Sequence, residues 1–501
     1  MDDSGATHRD VGSPSSPRDA DSALLAQLGY AQDLQRRMSR FSNFAVSFAI
    51  ICILAGGITG FPTALGAGGG VTVSMGWLVG SAFALVVAVA MAQIASAFPT
   101  AGGLYHWASI LGNRGFGWVT AWFNLLGLVL ACGSIAFGLY DPFFKTLLLP
   151  MLGVDTTQWG VPHQVAFIGA VLVSQAVLNH VAIGLTTRLI DLSGYLIFAV
   201  TIVLTVSLWM FSVTPIDFSR LITFTNFTGT EGSIWPASTS LIAVFLSGLL
   251  LTVYTITGFD ASAHTAEETH DAQRTVPRGI VRSVLWSGLF GFVLVSTFVL
   301  CLPSLAQAVQ QGSGFFATLL APVPGPLRVL LVMALVLINY VCSLACLMST
   351  SRMMFAFARD GGLPASKRLA AVHPRYRAPV ASVWLSALAA FSMTLYADAF
   401  VLLSTGCTVF LYISYVLPVA AGGWAEGRHW TRKGPFNLGA FSKPVALLAV
   451  LGALTLIWVG MQPPNEKVRI LVLAMCAGLA LVWWGLGVRK KFRGPPVEIQ
   501  R

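Results

Sequence analysis

Leu54-Ala-Gly-Gly-Ile-Thr-Gly-Phe-Pro62 and Tyr254-Thr-Ile-Thr-Gly-Phe-Asp260 interrupt two long apolar stretches near their midpoints, about 200 residues apart. A helix in hydrocarbon satisfies its own backbone, and lipid offers no partner to a group that a break releases. Such a group therefore needs a buried solute or a wet cavity. Two matching breaks in two halves of one chain are the pattern of a carrier's binding site.

The surrounding sequence is that of a membrane protein. Of 501 residues 55% are hydrophobic and 10% charged, with a mean hydropathy of +0.75, too apolar for a soluble chain of this size. Twelve nearly uncharged runs recur, at about 42–66, 73–98, 114–140, 163–185, 189–213, 235–265, 281–303, 325–351, 379–397, 399–423, 443–461 and 468–488. The expected fold is an all-α integral membrane protein of twelve transmembrane helices. Helices one to five and six to ten are expected to form a five-plus-five inverted repeat of the LeuT-like kind, with discontinuous helices one and six. The positions of the breaks support the repeat, and no residue-level identity does. Runs eleven and twelve fall outside it.

The net charge of +10 does not point to nucleic acid, because its distribution follows the membrane. With a cytoplasmic N-terminus, 25 of the 30 Lys and Arg fall on the cytoplasmic side and 5 outside. The positive-inside rule then puts both termini in the cytoplasm, for a multi-pass protein of the cell (cytoplasmic) membrane. Residues 1–34 are expected to be a disordered cytoplasmic tail, 35–490 the membrane domain and 491–501 a cytoplasmic C-tail. The seven cysteines all lie in apolar runs without a Cys-x-x-Cys pair, and read as small buried hydrophobes.

In run one, Gly56, Gly57 and Gly60 lack side chains and Pro62 lacks an amide, so the helix is expected to open over Gly56, Gly57, Ile58, Thr59 and Gly60. An outer half-helix starting near Thr59 to Thr63 would aim free amides at a carboxylate. The alternative is close packing through the Gly-x-x-x-Gly spacing of Gly56 and Gly60. In run six, Asp260 has no Lys or Arg in its own span and is a candidate for binding, proton coupling or ordering the unwound backbone. Its other role is to cap a half-helix beginning at Ala261. Tyr254, Thr255, Thr257 and Gly258 mark the end of the outer half, whose carbonyls suit an ammonium. Tyr254 either covers that seat, with cation–π attraction, or packs.

Asn124, Asn339, Tyr340 and Ser343 line the cavity or bond helices together, and Ser343 with carbonyls of span one is a candidate for sodium. His180 and His264 read more readily as hydrogen-bonded structure than as relays. Glu267 and Glu268, followed by Arg274, Arg278 and Arg282, read as a solvated interface in preference to gate ion pairs. No cofactor and no metal-ligand set is expected, and no hydrolase, zinc-protease or phosphate-loop motif is present, which disfavours a membrane-embedded enzyme. No charged ring or filter suggests a channel. The expected partners are an amino acid or related amine such as GABA, a coupling proton or sodium ion, and the lipid bilayer. Choline or a polyamine is the second choice of substrate.

Gly56-Gly-Ile-Thr-Gly60, Ala97-Phe-Pro-Thr-Ala-Gly-Gly-Leu-Tyr-His-Trp107, Gly258-Phe-Asp-Ala-Ser-Ala-His-Thr-Ala-Glu-Glu268 and Ser351-Arg-Met-Met-Phe-Ala-Phe-Ala-Arg-Asp-Gly361 resemble the amino acid–polyamine–organocation superfamily. The nearest likeness is to its amino acid/choline transporter branch, which includes GABA permeases, over about residues 35–490. The resemblance implies the five-plus-five fold, alternating access, substrate between the breaks of spans one and six, an aromatic gate at Tyr254 and proton sensing at the Asp260 position. One departure stands out. Several proton-coupled relatives carry a Lys near the position of Gly194 or Tyr195, and this chain has none, leaving sodium, Asp260 or exchange for coupling.

Overall fold

The computed structural model describes residues 17–395 and 399–496. The expected tail through residue 16, part of run nine at 396–398 and the end of the C-tail at 497–501 lie outside the described residues. The described chain is helical, with no strand among the described residues. Its main helices are α1 Pro17–Gln27, α2 Arg40–Ile51, α3 Ile53–Gly68, α4 Gly70–Ala97, α5 Leu104–Leu111, α6 Arg114–Gly138, α7 Val161–Val181, α8 Ile183–Met210, α9 Leu241–Thr255, α10 Ala261–His264, α11 Ala272–Cys301, α12 Gly325–Arg359, α13 Val380–Met393, α14 Ala399–Ala425, α15 Ser442–Gly460 and α16 Glu466–Ala480.

Ten segments among the described residues are long and apolar enough to cross a membrane, α2 with α3 counting as one. The shorter apolar helices α9 and α13 stand where the sixth and ninth runs were expected. The all-α integral membrane fold therefore holds. Six cysteines are buried, whereas Cys476 on α16 is exposed on the outside of the bundle.

Helices in hydrocarbon gain little from hiding apolar side chains, so close backbone approach at small residues does more of the work. A Cβ on Gly291 of α11 would fall 2.1 Å from Trp77 of α4, and the Trp77 indole donates to the Gly288 carbonyl at 3.0 Å. On α3, a Cβ at Gly56 would meet Thr255 at 2.7 Å and one at Gly60 would meet Leu251 at 2.8 Å, both on α9. The Gly-x-x-x-Gly pair thus packs α3 against α9.

The last carbonyls of α3 have no partner within the helix. The segment between α8 and α9 supplies one to three of them, Ser233 Oγ to Gly66 at 2.8 Å and the amides of Phe227 and Thr225 to Ala67 and Gly68 at 3.0 and 3.2 Å, and Trp235 Nε1 adds a bond to the Thr63 carbonyl at 2.7 Å.

The opposite, basic face is closed by side chains. Over Pro17–Gln27 the segment expected to be disordered is helical, and Leu25, Leu28, Tyr30 and Leu34 are buried. Asp21 explains its anchorage, accepting the amides of Asp271 and Ala272 at 2.8 and 3.1 Å at the start of α11. Glu267 and Glu268 are not solvated. Both are buried, Glu267 held by the Arg359 fork at 2.8 and 3.0 Å and Glu268 by Arg352 at 2.7 Å. Their partners lie on α12, 84 and 92 residues away, instead of among the nearby arginines.

Asp360 joins Tyr30, Tyr105 and His106 at 2.8, 2.7 and 3.1 Å. Burial alone raises its pKa, but the His106 and Tyr105 contacts and the Arg359 guanidinium more than offset this and hold it below the usual carboxylate range.

Two outcomes follow for stability. Gly56→Ala is expected to lower it by about 1–3 kcal/mol through overpacking on Thr255, while Gly57→Ala, whose Cβ finds Val295 at 3.5 Å, changes little; equal losses in detergent unfolding would contradict this. Asp360 has a depressed folded pKa, so its contribution is full above the unfolded value of about 3.9 and is lost as pH falls through the folded one. The stability gap between the wild type and Asp360→Asn should be constant from neutral pH down to about 4 and shrink below it.

Candidate functional site

Both breaks are present, and one lies where the sequence did not place it. In span six, α9 ends at Thr255 and α10 starts at Ala261, with Ile256–Asp260 between them outside any helix. Gly258 makes this possible: its φ is +91°, and a Cβ there would lie 2.4 Å from Ile50. In span one the helix does not open at Gly56–Gly60. It breaks at Cys52, which is left-handed at φ 36° and ψ 75°, and α3 is already helical from Ile53. The glycines serve contact with α9, and Pro62 sits inside α3. A non-glycine residue held at positive φ costs about 1–3 kcal/mol and persists only where its surroundings fix it. Here the Cys342 thiol on α12 meets the Ile50 carbonyl at 3.4 Å.

Among the described residues, no hydrogen bond takes the amides of Ile53, Leu54 and Ala55, and none reaches the carbonyls of Thr255, Ile256 and Thr257. The positive end of α3 and the negative end of α9 thus reach one space through Ala55 on one side and Thr255 and Thr257 on the other, while Ile53, Leu54 and Ile256 lie behind its wall. It is a small cavity, bounded by Ile50, Ile51, Cys52, Ala55, Gly56 and Thr59 of span one and by Tyr254, Thr255, Thr257 and Gly258 of span six. Leu128, Ala131, Ser134 and Ile135 of α6, Asn339 and Cys342 of α12, and Phe400, Cys407 and Leu411 of α14 complete most of the wall.

No acidic or basic side chain is on that wall. Its polarity comes from helix ends, a few hydroxyls and Asn339, whose Oδ1 is buried without a hydrogen-bond partner. The hydroxyls of Thr59 and Thr255 are turned back to Ala55 and Leu251 of their own helices, at 2.9 and 2.8 Å. The Tyr254 hydroxyl bonds Ser134 at 2.8 Å while its ring meets Phe400 edge-on at 6.4 Å. Beyond these two rings lies a second small cavity, lined by Gly60, Thr63, Trp235, Thr408 and Asn465 among others. Tyr254 and Phe400 line both cavities and form the partition.

Of the residues singled out from sequence, Gly56, Thr59, Tyr254, Thr255, Thr257, Gly258 and Asn339 meet at the cavity. Gly57, Ile58, Asp260, Asn124 and Ser343 are not on its wall, and Gly60 lines the second cavity. Ser343 donates to Gln175 of α7 at 3.0 Å, so its hydroxyl faces span four. His180 sits against Tyr376, with the Trp384 indole 3.4 Å away, and Tyr340 bonds Ser174 at 2.8 Å. Gly194 packs on Phe41 and Ala45 of α2, with 3.2 and 3.3 Å available to a Cβ.

Asp260 has a different set of partners from a free ligand-binding carboxylate. Its Oδ1 accepts the Tyr415 hydroxyl at 2.7 Å; its Oδ2 accepts Asn124 at 3.0 Å and meets His264 Nε2 at 3.1 Å. The Tyr415 oxygen also accepts the Gly258 amide at 3.1 Å, and His264 Nδ1 lies 3.1 Å from the Ala101 carbonyl. The carboxylate therefore ties the unwound segment to α6, α14 and the connection before α5. Tyr415, Cys52 and Phe400 carried no signal in the sequence, because their importance comes from tertiary neighbours. The pattern Gly258-Phe-Asp260 pointed only to the partner of Tyr415.

A helical membrane bundle in which two broken helices frame a central cavity has the architecture of a transporter. The comparisons with known proteins agree. A family described as amino acid permease matches residues 39–482, and the chain belongs to that family, within the amino acid–polyamine–organocation superfamily. The amino-acid permease BAT1 of Arabidopsis thaliana is 33% identical, over 95% of this chain and 96% of its own length. A BAT1 homolog from Oryza sativa subsp. japonica is 34% identical over the same shares. A GABA-specific permease of Saccharomyces cerevisiae is 29% identical, over 85% of this chain and 75% of its own.

Removing one bond to a buried charged group costs about 1.5–3 kcal/mol. Tyr415→Phe is expected to destabilise the protein by that amount, whereas Tyr412→Phe, which deletes a buried hydroxyl with no partner, should be close to neutral. Thermal unfolding of the two purified variants checks the contrast, and similar losses in both would contradict it.

Proposed function

We propose that the protein carries a neutral, zwitterionic amino acid or GABA across the cytoplasmic membrane, both termini facing the cytoplasm, by alternating access through twelve spans. The observation that carries this is the uncharged wall between opposed helix ends. A carboxylate suits the free amides of Ile53, Leu54 and Ala55, and an ammonium suits the carbonyls of Thr255, Ile256 and Thr257. A solute with one charge of each sign satisfies both; choline and polyamines bring only cations and find no carboxylate on the wall. Leu128, Ala131, Ile135 and Leu411 leave an apolar surface for the rest of the solute.

The five-plus-five inverted repeat gains support from packing: α3 lies on α9, α4 on α11, α6 on α12 and α7 on α13, joining spans one to four with spans six to nine in order. The closed basic face and the thin Tyr254–Phe400 partition fit a state in which the outer path is the nearer to opening. Transport is coupled to a proton or sodium ion. Asp260 is a candidate for proton coupling because its bonds join the unwound segment to the scaffold, so a change in its protonation alters the fit of both.

In proteoliposomes the protein should show saturable uptake of labelled neutral amino acids or GABA that choline does not inhibit. Asn339→Leu, which removes the free acceptor, is expected to raise KM about tenfold, the loss of one good bond. Inhibition by choline as strong as by neutral amino acids would overturn the zwitterion assignment. A pH dependence of uptake unchanged in Asp260→Asn would remove that residue from coupling.

A further inference from the structure

A groove of about 1150 Å³ lies on the side of the bundle near its basic face, walled by α2, α8 and α11, and is distinct from the central cavity. Arg278, Arg282, Trp286 and Phe290 recur every fourth residue and so form one stripe of α11, guanidiniums at the basic end and rings deeper. Arg40, Phe41 and Phe44 of α2 and Phe198 of α8 face them. The Phe198 ring meets Trp286 at 6.2 Å and Phe290 at 4.9 Å, so the floor is continuous aromatic surface.

Next to this stripe α11 exposes Leu285, Leu289 and Val293, at 41, 52 and 49%, which face hydrocarbon in a membrane. The arginines sit where that apolar strip ends, at headgroup depth. Arg40 approaches Asp271 at 3.5 Å, whereas no carboxylate among the described residues lies within ion-pair distance of the exposed Arg278 and Arg282. Arginines that merely reach for the interface account for this depth, but not for a recess between three helices floored with rings.

We propose that this groove binds an anionic phospholipid, its phosphate held by Arg278, Arg282 and Arg40 and an acyl chain laid along Phe198, Trp286 and Phe290. Charge decides the occupant. Two unpaired guanidiniums one turn apart match a phosphate in geometry and sign, whereas a zwitterionic headgroup adds an ammonium that the same cluster repels. The lipid bridges α2 and α11 and so ties the basic-side half of the broken first span to its neighbour.

The test uses the full chain in phosphatidylcholine vesicles doped with equal amounts of brominated phosphatidylglycerol or brominated phosphatidylcholine, read by tryptophan fluorescence. The anionic lipid should quench more, and the excess should vanish in Trp286→Phe. Arg278→Gln and Arg282→Gln should each weaken it about fivefold, while Arg274→Gln, not on the groove wall, leaves it in place. Equal quenching by both lipids, or an excess that neither groove arginine affects, overturns the proposal. Reversal by soluble glycerol phosphate also overturns it, since the site would then hold a free anion instead of a lipid.

Discussion

A peptide group released from a helix inside a bilayer has nowhere to turn except to protein or to a polar solute, and this constraint organises the chain from its edges to its centre. At the end of α3 the constraint is met by protein, three carbonyls each receiving a donor from the segment before α9. At the two breaks it is met only in part: among the described residues no bond takes the amides of Ile53 to Ala55 or the carbonyls of Thr255 to Thr257, and of these residues Ala55, Thr255 and Thr257 line one cavity. The contrast between a satisfied helix end and two unsatisfied ones is what separates packing from function in this fold.

Around that space the protein is rigid in one direction and thin in the other. Asp260 ties the unwound segment to Asn124 of α6, to Tyr415 of α14 and to His264 of its own inner half-helix, so three elements must move or rearrange together. Below it, Glu267 and Glu268 are held on α12 by buried arginines, where breaking a pair leaves an uncompensated charge. Toward the other face only the rings of Tyr254 and Phe400 intervene before the second cavity. The two sides of the cavity therefore differ in what closes them, two aromatic side chains on one and buried charge pairs on the other.

The helical membrane fold and the break in span six were legible because they rest on local chemistry. Gly258 is the residue that tolerates positive φ against Ile50, and Asp260 marks a polar centre in an apolar run. The break in span one was misplaced for an equally physical reason. Glycine in a membrane helix signals either an opening or a close approach, and Gly56 and Gly60 answer to α9. Cys52 has no local reason to be left-handed; its conformation belongs to contacts from α12 and from the Gly258 turn. The partners of Glu267 and Glu268 were hidden likewise, since sequence proximity favoured Arg274, Arg278 and Arg282 while the fold supplied Arg352 and Arg359. Residues 17–34, which continue a stretch rich in Asp, Ser, Pro and Gly, are anchored by Asp21 at the start of α11.

The central claim is that the two opposed helix ends hold one solute of mixed charge between them. A cryo-electron microscopy map of the protein with a saturating neutral amino acid tests it most directly. The account predicts ligand density in the central cavity, its carboxylate on the amides of Ile53 to Ala55 and its ammonium on the carbonyls of Thr255 to Thr257. Density lodged elsewhere, or helices hydrogen-bonded without interruption through Cys52 and Gly258, would contradict it.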